Sequence, residues 1–469
     1  MRSISGAGIA TMVCGLSDTP ASETTAARNP LPEGTLAVGA GLVISGICAY
    51  AFTALAGRAL PDGDVVILQA LWFATFAIAP GFFLPLEQEL GRALSHRRTL
   101  GQGGLPVVQR AVLLGGSIAA MVVIALVALR SVLTKHSFHG SGNIVYALIL
   151  SVVTWGAAHI GRGILSGSGR FRPYGMIMGI DGLVRVAGCG VLAATGVKSL
   201  TAYALLVGLP PIIALLVSYV PQRHLLEPGP EAPWVEVTTN IGWLLLGSVA
   251  AAFLVNAGPL IAGPLSSPVD QAPNIAFSST TKLYSRLAAF NFAILISRIP
   301  LFMFQAVQAS LLPKLARLAA VGAFDEFRRG FRTLMKVVAG VAVLGVAGAA
   351  ALGPISLSIA FKVKVSNTDM AVLALAAGVY MAAVAIAQAL IALHRHPAVA
   401  VGWVLGVVAV FAMLPLAQDL LPRVEAALVA ASVVPLIFFA VMLRQTLSHP
   451  SKMDASSLTE ALLDHPLTP

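Results

Sequence analysis

Ala288-Ala-Phe-Asn-Phe-Ala-Ile-Leu-Ile-Ser-Arg-Ile-Pro-Leu-Phe-Met-Phe-Gln-Ala-Val-Gln308 is an apolar run interrupted by one cation, Arg298, and a few amides. At about 1.5 Å per helical residue such a run reaches across a hydrocarbon core of roughly 30 Å. A cation there is unfavourable by at least about 2.5 kcal/mol, so it faces a protein interior or a watery cavity and marks a pathway. Arg298 is therefore the first candidate for a ligand contact.

The rest of the chain repeats the pattern. Of 469 residues, 57% are hydrophobic and only 11% charged, less than half the charged share of a soluble domain. About twelve apolar runs succeed one another, near residues 35–56, 64–86, 111–130, 144–162, 174–194, 199–220, 240–262, 285–308, 335–356, 370–393, 398–416 and 424–443. These runs predict an all-α integral membrane protein with about 12 transmembrane helices in two six-helix lobes. The lobes are residues 35–220 and 240–443. A cytoplasmic linker at 221–239 joins them, and its four prolines suit a flexible connection. Residues 1–34 and 444–469 read as disordered cytoplasmic tails, and the glycines in the mildly apolar start argue against a cleaved signal peptide.

The net charge of +10 is explained by where the cations sit. With the N-terminus inside, most Lys and Arg fall on the cytoplasmic side, in clusters such as Arg92/Arg97/Arg98, Arg162/Arg170/Arg172 and Arg317/Arg328/Arg329/Arg332/Lys336. Only Arg185 and Arg298 fall within the membrane. This is the positive-inside pattern of a cytoplasmic-membrane protein with both termini in the cytoplasm, and nucleic acid is not an expected partner. The landmarks recur weakly about 220 residues apart: Pro80 answers Pro300, and Arg170-Phe-Arg-Pro173 answers His394-Arg-His-Pro397. Duplicated halves with a site near the midplane are a common transporter plan.

No enzyme constellation is present. No loop is long enough for a catalytic domain, no Walker sequence occurs, and the histidines lie at span ends without a carboxylate or third ligand. No cofactor or metal is expected, and the three cysteines, far apart, read as packing residues.

The polar residues inside the spans carry the functional reading. Asn291, Arg298 and Gln305 recur every seven residues, about 700° around a helix, and form one stripe. Such a stripe suits a cavity wall that receives an anionic head group, since a guanidinium binds phosphate bidentately. The alternative is a structural tie to an acid or to carbonyl groups. Pro300 predicts a kink just beyond the arginine. Asp181 and Arg185, four residues apart, share a face. They are either an ion pair, with Gly182 and Gly188 allowing close helix approach, or a cavity element that couples transport to an ion gradient. Glu87, Glu89 and Arg92 are either interfacial residues or a gate between lobes, and His159 and Arg162 read as snorkelling residues. Pro210-Pro211, Pro259 and Gly353-Pro354 are candidate helix breaks.

Two segments resemble a known family. Ser297–Gln308, continuing through Ala309–Leu318 to Gly322–Arg328, resembles span 8 and the next inner loop of polysaccharide flippases in the multidrug/oligosaccharidyl-lipid/polysaccharide exporter superfamily. Gly161–Tyr174 is similar to their loop between spans 4 and 5. The resemblance implies a V-shaped pair of bundles that alternates its access and carries an undecaprenyl-linked oligosaccharide across the membrane. The substrate would then be a lipid-linked glycan, with membrane lipids around it and glycan polymerases or ligases as candidate partners. Arg298 falls where such flippases carry a cavity arginine. The absence of arginine from span 1 disfavours lipid II as cargo. Other expectations left open are a multidrug antiporter of the same superfamily, with Asp181 as coupling site, and a non-transporting scaffold of the cell envelope.

Overall fold

The computed structural model describes residues 35–274, 276, 284–301, 304, 318–319, 322–416 and 418–448. Gln305 and the two tails, apart from the first few residues of the second, lie outside them. In a bilayer every backbone polar group must be satisfied within the protein, so apolar runs become helices. Among the described residues twelve of twelve residues or more follow: α1 (Thr35–Ala59), α2 (Asp62–Thr99), α3 (Leu105–Ala128), α4 (Asn143–Gly167), α5 (Phe171–Ala194), α6 (Leu200–Tyr219), α7 (Ile241–Leu265), α8 (Arg286–Ser297), α9 (Phe324–Ala360), α10 (Asn367–Ala392), α11 (His396–Met413) and α12 (Leu420–Ser448). All but α8 are long and apolar enough to cross a membrane, and the chain is a multi-pass membrane protein. Serine caps set several starts, with the hydroxyls of Ser199, Ser285 and Ser366 accepting from the third residue of the helix that follows.

The pairing of helices reveals the duplication. α1 packs on α5, α2 on α4, α3 on α4, α4 on α6 and α5 on α6; six helices later, α7 packs on α11, α8 on α10, α9 on α10, α10 on α12 and α11 on α12. The result is two six-helix lobes of one plan. The Arg170–Pro173 and His394–Pro397 segments open α5 and α11, which are equivalent in that plan. Small residues set the closest approaches. A Cβ at Gly41 would lie 2.3 Å from the carbonyl oxygen of Gly175, and one at Gly182 would lie 2.8 Å from the Cβ of Cys48, so α1 and α5 pack nearly backbone to backbone. Cys48 and Cys189 are buried free thiols.

Helices joined by short connections alternate in direction, so the molecule has a connector end, where residues 220–239 lie, and a far end. The lobes meet along α2 and α7, where the Ser248 hydroxyl donates to the Pro80 carbonyl at 3.2 Å. At the far end they are tied again. The Tyr284 hydroxyl donates to Gly57 O at 2.6 Å, the Ser285 amide to Asp62 Oδ2 at 3.0 Å, and Arg58 to Ile359 O at 3.0 Å. Phe292 stacks on Phe361 beside these bonds, 4.4 Å between centroids.

The connector is held rather than loose. Buried Arg97 donates to the carbonyls of Gly103, Pro230 and Glu231 and to the Glu236 carboxylate at 2.8 Å, and the Arg110 guanidinium lies 4.7 Å over Trp234. The prolines at 210–211, 259 and 354 all lie inside continuous helices, so the candidate breaks are not found there. The break falls in α8 instead.

Candidate functional site at the lobe junction

α8 stops at Ser297, and Arg298 is its C-cap with φ −91° and ψ 0° before helical backbone resumes at Ile299. The cause is Pro300, which has no N–H for the Ile296 carbonyl and whose ring crowds that carbonyl. The Arg298 amide instead bonds Leu295 O, and Leu301 N bonds Arg298 O, both at three-residue spacing. The kink predicted at Pro300 thus begins two residues earlier and falls on the arginine itself.

This turn breaks the expected stripe. Asn291 points at α2, where its amide donates to Gln69 Oε1 at 3.1 Å, while its own Oδ1, buried, has no partner among the described residues. Arg298 turns toward α7 and α10 and lines a cavity with Ser297, Tyr380 of α10 and Ser432 of α12. The two side chains flank Phe73: its ring lies 5.4 Å from the Arg298 guanidinium and also lines the Asn291 cavity. Gln305 falls outside the described residues.

Arg298 has weak neutral company. Its one side-chain hydrogen bond among the described residues runs from Nη1 to Asn256 Oδ1 at 3.4 Å. Among the described residues no carboxylate forms an ion pair with it. The cavity is about 30 Å³, room for about two waters. No sugar fits in that volume.

The second intramembrane arginine is placed differently. Arg185 donates from Nη2 to both oxygens of Asp181, at 2.6 and 2.8 Å, and from Nε to Leu206 O at 3.1 Å. Its guanidinium lies 5.3 Å from Trp72 and 6.0 Å from Trp155. Both charges are buried in the first lobe, away from Arg298, and satisfy each other.

Glu87, Glu89 and Arg92 are not brought together as one gate. Glu89 and Arg92 pair within α2 at 2.8 Å, and Arg92 also donates to Glu236 O of the connector. Glu87 turns into the lobe, where one of its oxygens accepts from Arg162 at 2.7 and 3.0 Å and meets His159 Nδ1 at 2.7 Å. The other accepts from the Tyr174 hydroxyl at 2.9 Å. His159 and Arg162 therefore do not snorkel: they are 2% and 7% exposed and hold α4 to α2.

Sequence reasoning passed over Glu425. It stands at the far end of α12, 8% exposed, with Oε1 unpartnered among the described residues, one helical turn beyond Leu428 of the Arg298 cavity. The signal was available: an acid in the last apolar run, where ionisable residues are rare.

Similarity to known proteins rests on the fold. No protein-family model and no curated protein matches the chain. A MATE structure in the bent conformation superposes with TM-score 0.64 at 12% identity, covering 90% of this chain and 96% of that one. An inward-facing multidrug resistance MATE family transporter of the MOP superfamily gives 0.63 at 12%, over 90% and 96%. A MOP superfamily transporter from Pyrococcus furiosus, described as having a binding pocket of reverse polarity and a different function, gives 0.65 at 12%, over 88% and 94%. The chain therefore has the MATE transporter fold.

Proposed function

We propose that this protein is a flippase that moves a lipid-linked oligosaccharide or polysaccharide unit across the cytoplasmic membrane by alternating access of its two lobes. The observation that carries the reading is Arg298, a guanidinium at a helix break of the second lobe that faces Phe73 of the first and has no carboxylate partner among the described residues. An uncompensated cation in a largely apolar wall favours an anion, and a diphosphate offers the planar oxygen pairs that a guanidinium binds best. Tyr380 and Ser432 supply hydroxyls beside it, suited to sugar hydroxyls. When the lobes part along α2 and α7, Arg298 is uncovered on its Phe73 side, the head group enters there and the lipid tail stays in the bilayer.

The test is flipping of a fluorescent undecaprenyl-diphosphate oligosaccharide in vesicles that contain the purified chain. Arg298→Ala should lower the rate by about tenfold or more, and Arg298→Lys should retain part of it, since a point charge replaces a bidentate fork. An unchanged rate in Arg298→Ala would remove Arg298 from the mechanism.

The likeness to multidrug MATE transporters favours a second reading, a cation-coupled drug antiporter. A cationic drug would be repelled by Arg298, and Asp181 is already neutralised by Arg185. Efflux of a cationic dye driven by a proton or sodium gradient, without flipping of the lipid-linked glycan, would establish the antiporter instead.

A further inference from the structure

Three arginines at the connector end pair with acids of the packed helices and the connector: Arg92 with Glu89, Arg97 with Glu236 and Arg162 with Glu87. One group departs from this. Between the start of α9 and the end of α12 lies a cavity of about 290 Å³ lined by Arg328, Phe331, Arg332, Arg444, Leu447 and Ser448. Arg328 and Arg332 are one turn apart on one face of α9, and Arg444 faces them from α12. Arg328 is fixed in place by Asp325 at 2.9 Å and by the Leu447 carbonyl, so its guanidinium bridges the two helices. Arg332 and Arg444 have no hydrogen-bond or ion-pair partner among the described residues. Asp325 offsets one of the three charges, and two remain uncompensated over an apolar floor of Phe331 and Leu447.

From this arrangement we infer that the cavity is a binding site for a phosphate-bearing anion, the head group of an anionic phospholipid, gripped by Arg332 and Arg444 with Arg328 as the fixed wall. Guanidinium groups bind phosphate through paired hydrogen bonds, and basic pockets between transmembrane helices at a membrane surface take anionic lipid head groups. The volume approaches the lower end of small-ligand sites, about 300 Å³, enough for a glycerophosphate. The surface next to the cavity identifies the source as lipid. α9 is the least buried of the eleven apolar helices, and Val343, Leu344 and Leu352 are 68%, 74% and 64% exposed along it. Val343 lies three turns beyond Arg332 on the same face, so an acyl chain runs down α9 directly from the head-group cavity.

The site is independent of the transport reading and is tested by binding. The purified full chain is mixed with phosphatidylglycerol, phosphatidylcholine or millimolar inorganic phosphate. Retained lipid is read by native mass spectrometry and the shift in melting temperature by thermal unfolding. The wild-type chain should retain phosphatidylglycerol about tenfold over phosphatidylcholine and be stabilised by it, because a ligand bound only to the native state raises the unfolding free energy. Arg332→Ala/Arg444→Ala, two exposed positions, should fold normally and lose that preference, and Arg332→Lys/Arg444→Lys should keep a reduced one. Equal retention of the two lipids by the wild type would overturn the proposal. So would an undiminished preference in the double alanine variant, or stabilisation by inorganic phosphate without phosphatidylglycerol retention, which would make the site one for free phosphate.

Discussion

Arg298 Nη1 stands 3.4 Å from Asn256 Oδ1 and joins the broken end of α8 to α7 by a long hydrogen bond to a neutral group. A half-buried charge so weakly compensated loses part of its hydration. Replacing it with leucine removes that loss together with one hydrogen bond worth about 1 kcal/mol. Arg298→Leu should therefore leave the thermal unfolding temperature in detergent unchanged or raised. A drop equivalent to more than about 3 kcal/mol, the range in which a buried pair is broken, would make Arg298 a structural tie rather than a cavity cation.

The Glu87 cluster should behave in the opposite way. Glu87 accepts from Arg162, Tyr174 and His159 in a buried site. Glu87→Gln leaves Arg162 as a buried charge without its counter-ion and should destabilise the chain by about 3–5 kcal/mol. Pairing Glu87→Leu with Arg162→Met removes both charges and should recover much of the loss. A double variant no more stable than Glu87→Gln would show that the cluster does not act as an ion pair. The same cycle applies to Asp181 and Arg185.

These two cases mark how much of the molecule was legible in the sequence. The spans were, because a bilayer forces about twenty apolar residues into a helix whatever their order. The duplication was faintly legible, through the Arg170 and His394 segments, and becomes plain only in the helix pairing. The Asp181–Arg185 bond was legible because one helix turn sets it. Glu87 with Arg162 was not, since the residues lie 75 apart and meet only when α2 packs on α4. The stripe of Asn291 and Arg298 failed for a local reason. Seven-residue spacing describes a face only while the helix continues, and Pro300 ends it at Arg298.

Arg97 gives a prediction about the connector. It is 3% exposed and satisfies carbonyls at Gly103, Pro230 and Glu231 as well as the Glu236 carboxylate. Without it those groups need water, and the segment loses its main anchor. Arg97→Ala should make residues 226–233 sensitive to brief proteolysis where the wild type resists. Equal resistance would mean that Arg110 and Trp234 hold the segment by themselves.

The contact of α2 with α7 tests the motion itself. A Cβ at Gly81 would lie 3.4 Å from the Cβ of Ala252 and 3.2 Å from the Val249 Cα. Disulfides have Cβ separations of about 3.5–4.5 Å, so Gly81→Cys with Ala252→Cys should cross-link under mild oxidation after the helices relax by a few tenths of an ångström. The pair is made in a chain whose Cys14, Cys48 and Cys189 are replaced by alanine. If the lobes part along α2 and α7 during transport, the bond traps the closed form. Flipping should then fall by about tenfold or more and return with a reductant, while either single cysteine variant stays active after oxidation. A cross-linked chain that flips at the full rate would show that α2 and α7 stay together as a hinge and that the cavity around Arg298 opens elsewhere.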